Sequence, residues 1–537
     1  MRSISLTRSM RWAALTVSAL ALLSLPARAQ TDHDHGHHAH QALGTVHFPV
    51  SCRPEAQAVF DEAMKLQHSF WYQASEKKFQ EVLARDPGCA MAQWGRALSL
   101  LYNPFLPPTP QNLAKGLAAL EEAQRLGAPT DREAGFIDAL LVFYRDHATK
   151  DHRSRVLAYE AAMASLAARF PDDPEVRIFY ALALNVAASP TDKTYAKPLK
   201  AAEILEAEWQ RQPDHPGVVH YLVHTYDFPP LAQRGLKAAL RYAEIAPDAP
   251  HALHMPSHIF TRVGYWPQSV ETNARSAEKA RIAAETDDLL HASDYMVYAQ
   301  LQMGQDEAAR RIIADRNSFA GTRMIRPAGP FALAAMSARF ALERGAWEEA
   351  ARLDLRPTAF PFVDAITHYA RAIGHARSGR PEEATAEVAA LTRLVGALDK
   401  DAYWKEQVEV QRLSARAWTA FAEGRRDDAL ALMREAADRE GRTEKHVVTP
   451  GPLAPARELL AEMLLEVDRP AEALREFEAV QVTEPRRFRA IAGAAKAAER
   501  MNDGEAARTH YGALVQVAAQ ADTARPDLEK AKAYLSN

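Results

Sequence analysis

The sequence predicts an all-α protein built from repeated helix pairs, and three observations predict it. From about residue 54 to the C-terminus, apolar and small residues recur at helical spacing. Over the same range the Val/Ile/Thr alternation of a half-buried strand is nearly absent. Bulky and small residues also repeat at a fixed interval. Ala473 and Phe477 are followed 34 residues later by Ala507 and Tyr511, Ala461 pairs likewise with Ala495, and Pro485 closes the first of these units. The 537 residues, 47% apolar and 25% charged, leave ample material for a large core.

Taken in order, the chain opens on a signal-peptide pattern over residues 1–29. Arg2, Arg8 and Arg11 form a basic start, Trp12 to Leu25 an apolar run, and Ala27-Arg28-Ala29 a small-x-small cleavage pattern, so a cut after Ala29 is expected. The run is shorter than the roughly 20 residues of a membrane span, and no later segment qualifies, so no membrane span is expected in the mature chain. Export, with a periplasmic address, is the expectation. Without the signal, 61 basic residues face 69 acidic ones. That mild acidity argues against nucleic acid as a partner.

Residues 30–50 read as a disordered, histidine-rich segment. His33, His35, His37, His38 and His40 crowd a tract with no apolar face to bury, and neutral imidazoles there are free to take Zn or Cu. Cys52 and Cys89 follow, two cysteines in a chain expected to be oxidised, so a disulfide is predicted. Closing the loop of about 37 residues between them contributes on the order of 3–4 kcal/mol in the chain-entropy model.

The helical frame itself reappears along the chain. Ala63, Ser75, Phe79 and Pro87 fit it near the N-terminus, Met296 with Ala308, Ala372 with Ala384, and Ala417 with Ala429 further on. Turns such as Met303-Gly304-Gln305, Ser378-Gly379-Arg380-Pro381 and Glu423-Gly424-Arg425 precede Glu- or Asp-led helices. The pattern resembles the tetratricopeptide repeat, a helix-turn-helix of 34 residues with small residues where the helices touch. Phrases such as His68-Ser69-Phe70-Trp71-Tyr72 and His254-Met255-Pro256-Ser257-His258 resemble exported bacterial tetratricopeptide proteins of unassigned function. The resemblance implies a superhelical solenoid of such pairs, with an N-terminal half over 51–316, a connection over 317–330 and a C-terminal half over 331–537. Asn103 to Pro110 is too proline-rich for helix and is expected to be a loop or strap.

Coordinating chemistry concentrates in one region, where seven histidines fall between residues 215 and 291. His251, His254 and His258 are spaced three and four apart, as are side chains on one helix face. Pro256 sits among them and requires either a late helix start or a kink. His220 and His224 form a second i, i+4 pair, and His291 with Asp294 lies downstream. The resemblance places His251, His254 and His258 on the inner wall of the groove, with His68 near its end. Two imidazoles at i and i+4 can bind one Zn or Cu ion, so His220, His224, His254 and His258 are the candidate metal ligands, with His291 and Asp294 beside them. Neither pair has glutamate at the second position, which excludes the zinc-protease motif. Phosphate-loop, dinucleotide, nucleophile-elbow and haem-attachment motifs are absent as well.

Two functions follow as expectations, with no cofactor certain. The first is an exported scaffold, not an enzyme, whose groove binds a protein, peptide or small ligand through the histidine patch. The alternative is a Zn or Cu protein, or a metal-dependent hydrolase, centred on the cluster from His220 through His258 to His291, with Asp227 or Asp294 as candidate base. Glu444-Lys445-His446 reads as a solvated loop.

Overall fold

A computed structural model describes residues 42–322 and 324–536, in which Ala42–Asn537 cluster as one compact unit. Among the described residues there are 26 α-helices, one short 3-10 turn and no strand. The predicted all-α class is therefore found. Helices succeed one another as packed neighbours, from Pro54–His68 against Tyr72–Arg85 to Phe488–Arg500 against Gly504–Val517.

Local chemistry sets many of the boundaries. Proline opens the helices Pro54–His68, Pro110–Leu126, Pro174–Val186 and Pro216–Tyr226, where its missing N–H costs nothing. Thr109, Thr130, Asp151 and Asp173 cap helix starts by accepting a backbone N–H. Pro110 is thus a first-turn residue, and the proline-rich stretch before it is irregular as expected.

The repeat frame marks real contacts. Ala63, Ser75 and Phe79 are fully buried, and so are Ala473, Phe477, Ala507 and Tyr511. A Cβ added to Gly493 would lie 2.2 Å from the ring of Phe477, so the absence of a side chain lets these two helices approach.

The N-terminal segment departs from expectation. From Ala42 onward it is packed: Leu43, Val46 and Phe48 are buried. Phe48 stands in an aromatic cluster with Phe60, Trp94 and Phe136, at ring centroids of 5.2–5.6 Å. Three apolar side chains in six residues supply the surface that the histidine tract lacks. Cys52 and Cys89 are disulfide-bonded, with Cα atoms 5.0 Å apart, and hold this segment to the first helices. The histidine tract and the signal segment lie outside the described residues.

The stretch between Arg316 and Ala328 contains the 3-10 turn Asn317–Phe319, after which helix Ala328–Glu343 packs directly on Thr286–Gln302. The C-terminal helices return to the middle of the chain. Trp266 Nε1 donates to the Arg486 carbonyl at 3.0 Å, Gln302 Oε1 accepts from Phe488 N at 3.1 Å, and Arg525 pairs with buried Asp306.

Residues 442–455 form a strap through this closed arrangement. Lys193 and Tyr195 both reach Glu444, at 2.6 and 2.8 Å, and Lys445 reaches Asp227 at 3.1 Å. Arg339 donates to Thr449 and to the Gly451 and Pro452 carbonyls. The solvated loop expected at Glu444-Lys445-His446 is corrected: the Glu444 and Lys445 side chains are 7% and 5% exposed. Ion pairing across more than 200 residues makes that burial affordable, and sequence-local polarity does not reveal it.

Candidate metal centre

Four helical segments converge on the histidines. Helix Pro216–Tyr226 carries His220 and His224 one turn apart. Pro256 divides the next element into Pro250–His254 and Pro256–Val263, joined at Met255, which keeps right-handed helical dihedrals. The proline is thus accommodated by a break, and His251 and His254 stay helical with His258 beyond it. Helix Thr286–Gln302 adds His291.

Among the described residues, three groups bring possible ligand atoms within 4.8 Å of one another: His220, His224 and His251; His254, His258 and His291; and His68, Glu175 and His215. The expected quartet of His220, His224, His254 and His258 is therefore divided between two sets, each completed by a third histidine.

The third group is a satisfied hydrogen-bond cluster. His215 caps its helix, its Nδ1 accepting from Val218 N, so its Nε2 carries the proton donated to Glu175 at 2.9 Å. His68 Nε2 donates to the other Glu175 oxygen at 3.1 Å, and its Nδ1 accepts from the Tyr221 hydroxyl at 2.9 Å. All four ring nitrogens are used. Gly217 makes room for this ring, since a Cβ there would meet His68 Nδ1 at 2.4 Å. His68 still serves the centre through its backbone: His220 Nδ1 donates to the His68 carbonyl at 2.7 Å.

The two histidine sets are wired differently. His254 Nδ1 lies 2.7 Å from Asn273 Oδ1, and the Asn273 amide donates to the Ser269 carbonyl, which fixes that oxygen toward the ring. His258 Nδ1 donates to Asp227 Oδ2 at 2.8 Å. Both Nδ1 protons are thereby placed, so in the neutral rings both Nε2 atoms bear lone pairs. These face each other at 3.0 Å. A tetrahedral ion with metal–nitrogen bonds of about 2.0–2.1 Å sets its ligand nitrogens about 3.3 Å apart.

In the other set, His220 and His224 bring their Nε2 atoms to 3.2 Å, and His220 Nε2 is again the unprotonated one. Among the described residues, His224 Nδ1, His251 Nε2 and His291 Nδ1 have no hydrogen-bond partner despite their burial.

Electrostatics favour uncharged rings. Burial, reinforced by neighbouring histidines, holds His220, His224, His251, His254 and His291 well below the usual imidazole range. Burial also lowers His258, although Asp227 opposes it. Neutral imidazole is the form that binds a metal ion.

Aromatic rings close the walls. Phe70 lies 4.3 Å from His220, Phe105 4.6 Å from His224, and Tyr295 4.7 Å from His254, centroid to centroid. The sets adjoin: His251 and His254 are 5.9 Å apart, His224 and His258 6.0 Å. His251 and His291, one from each set, are the half-buried members, and both line a cleft of about 110 Å³. Asp288 lies in the same cleft, where burial and then Glu285 push its carboxyl up to about 7.

Asp294, one turn beyond His291, joins neither set, because Arg339 binds its Oδ1 at 3.0 Å. Burial outweighs that partner and pushes Asp294 up to about 6. Asp227 is engaged by His258, Arg262 and Lys445 together. Asp227 is therefore not a free base, whereas Asp294 keeps its Oδ2 buried without a hydrogen-bond partner among the described residues. Of the expected groove residues, His68, His254, His258 and Asp294 are buried, and His251 and His291 are half-buried.

Asn273 and Glu175 escaped sequence reasoning, which reads Lys445 as part of a solvated loop. Asn273 is 19 residues from its histidine, on the buried helix face of Trp266, Ser269 and Ala277, a place that reads as core rather than as a partner of the site. No family model matches the sequence, and no curated protein matches it significantly.

Proposed function

We propose that this protein is an exported metalloprotein that holds two transition-metal ions, one at each three-histidine set. The observation that carries the reading is the His254–His258 pair. Two lone pairs face each other at hydrogen-bond distance, each Nδ1 proton already committed to an acceptor. A cation between them turns that repulsion into coordination, and Asn273 and Asp227 are the outer partners that orient ligating histidines. The signal-peptide pattern and the disulfide support export to an oxidising compartment such as the periplasm. Consecutive helix pairing and the 34-residue frame support a tetratricopeptide-like superhelix as scaffold, curled so that its C-terminal helices close on its middle.

The test is metal analysis of untagged full-length mature protein carrying His33→Asn, His35→Asn, His37→Asn, His38→Asn and His40→Asn, after dialysis against Zn or Cu. Two ions per chain are expected, with one lost in His220→Ala/His224→Ala and the other in His254→Ala/His258→Ala. Protein that retains no ion from either metal would sink the reading.

A second reading, ligand binding by the scaffold, is favoured by one separate observation. A cleft of about 480 Å³ lies beside the strap, lined by the stacked Phe362 and Trp404 rings together with Tyr369, Tyr403 and Glu444. Its dimensions suit a peptide side chain or small ligand. Fluorescence titration of Trp404 with peptide libraries tests it, and an unchanged signal in Trp404→Leu would refute it.

A further inference from the structure

We infer that the metal pair is copper and that its reduced form takes up dioxygen; this rests on the two-ion reading above. The charge balance comes first. All six donors are imidazoles, so the ligand sets bring no negative charge to the ions. Of the acids beside the centre, Asp227 is paired with Lys445 and Arg262, Asp294 with Arg339, and Asp288 lines the cleft together with Arg326. The cost of burying an ion grows with the square of its charge, so two monovalent ions are accommodated far more readily here than two divalent ones. Copper is the imidazole-binding metal with a stable monovalent state, and three nitrogen donors complete its coordination in that state.

The second argument is adjacency. Rings from the two sets lie 5.9–6.0 Å apart, centroid to centroid, at two places, so the sets share a wall. Two ions seated in them would both border the cleft that His251 and His291 line. The third is access. The cleft at the centre is lined by His251 and His291, one ligand from each set, and by Phe70, Tyr72 and Tyr102. At about 110 Å³ it is smaller than the roughly 150 Å³ that accepts benzene. Such a space admits a diatomic ligand, past a wall that carries Glu285, Asp288 and Arg326 as well as the aromatic rings.

The step balances without further reactants. Each of two Cu(I) ions gives one electron and becomes Cu(II). Dioxygen would accept both electrons, its O–O double bond falling to the single bond of peroxide, and each oxygen would bond to one copper. No proton is required for uptake.

The experiment loads the untagged full-length mature protein, with the five tract histidines replaced as above, with two equivalents of Cu(I) under argon, then adds dioxygen. One dioxygen is expected per two coppers. The oxidised protein is expected to show nearly no Cu(II) spin-resonance signal, because adjacent Cu(II) ions couple. His254→Ala/His258→Ala is expected to hold one copper with its full signal and no such stoichiometry. His291→Asn, a milder change at the cleft, is expected to restore spin signal while leaving thermal unfolding close to the parent's. Two copper ions with two full spins per chain, or no dioxygen consumed, would overturn the inference while leaving the two-ion reading intact. A pair that binds Zn but never copper would do the same. Loss of all metal would instead defeat the reading on which the inference rests.

Discussion

At the scale of single residues, the centre depends on atoms that touch no ligand site. Asn273 is held by the Ser269 carbonyl and in turn fixes which nitrogen of His254 carries the proton. Removing it frees the ring to rotate or change tautomer, and outer partners of this kind are worth about 10–100-fold in metal affinity. Asn273→Ala is therefore expected to weaken the ion at His254, His258 and His291 by that factor, while the ion at His220, His224 and His251 keeps its affinity. Competition titration with a chromophoric chelator reads both; equal weakening of the two ions would refute the separate wiring. The histidines were legible because four of them fall at i, i+4, a spacing with one geometric meaning. Their partition into two sets was not, because the third member of each set is supplied by a contact that spacing along one helix does not encode.

Helices carry the repeat, and there the sequence was most readable. Ala473, Phe477, Ala507 and Tyr511 recur because each helix pair meets the next through the same small and bulky positions, and all four are fully buried. Gly493 shows how close that approach is. With Phe477 in the space a Cβ would take, Gly493→Ala is expected to destabilise the protein by about 1–3 kcal/mol, the usual range for overpacking. Urea unfolding measures it, and an unchanged midpoint would show that the ring moves aside freely. The disulfide belongs to the same scale, tying the packed 42–52 segment to the turn before helix Ala90–Leu100. Cys52→Ser/Cys89→Ser is expected to lose on the order of 3–4 kcal/mol, consistent with a loop of about 37 residues. The kink at Pro256 was foreseen as one of two options. The packed 42–50 segment and the 442–455 strap were not, since irregular chain has no period to read and its burial is decided by distant partners.

At the scale of the whole molecule, buried charge locks the returning C-terminal helices onto the centre. Arg487 donates to Glu458 at 2.9 Å, to Glu343 at 2.7 Å and to the Tyr298 hydroxyl at 3.0 Å, all fully buried. Arg487→Ala would leave buried Glu343 without its ion-pair partner and Glu458 with only Arg489 at 3.6 Å, which costs about 3–5 kcal/mol; a melting temperature within a degree of the parent's would refute that. The same burial makes the metal-free protein sensitive to acid. The six histidines of the centre are lowered in the fold, as are His68, His152, His375, His446 and His510, whereas in the unfolded chain all of them titrate near 6.5. Below that pH the unfolded state binds protons that the folded state refuses. Stability then rises with pH, and each such histidine contributes up to about 1.4 kcal/mol per pH unit. Asp288, Glu440 and Asp294 act in the opposite sense. Pushed up to about 7, 7 and 6, they bind protons in the fold while still ionised in the unfolded chain above about pH 4. The eleven lowered histidines outweigh the six raised carboxyls, of which Glu285, Asp401 and Glu484 are the other three, so with chelator present the protein is expected to be roughly several kcal/mol less stable at pH 5 than at pH 7. Replacing two of the six, in His254→Leu/His258→Leu, is expected to flatten the dependence by about two protons' worth. Denaturant midpoints of both proteins across that range decide it. Parallel curves for parent and variant would mean that His254 and His258 carry a proton in the folded centre, and that the facing lone pairs do not exist.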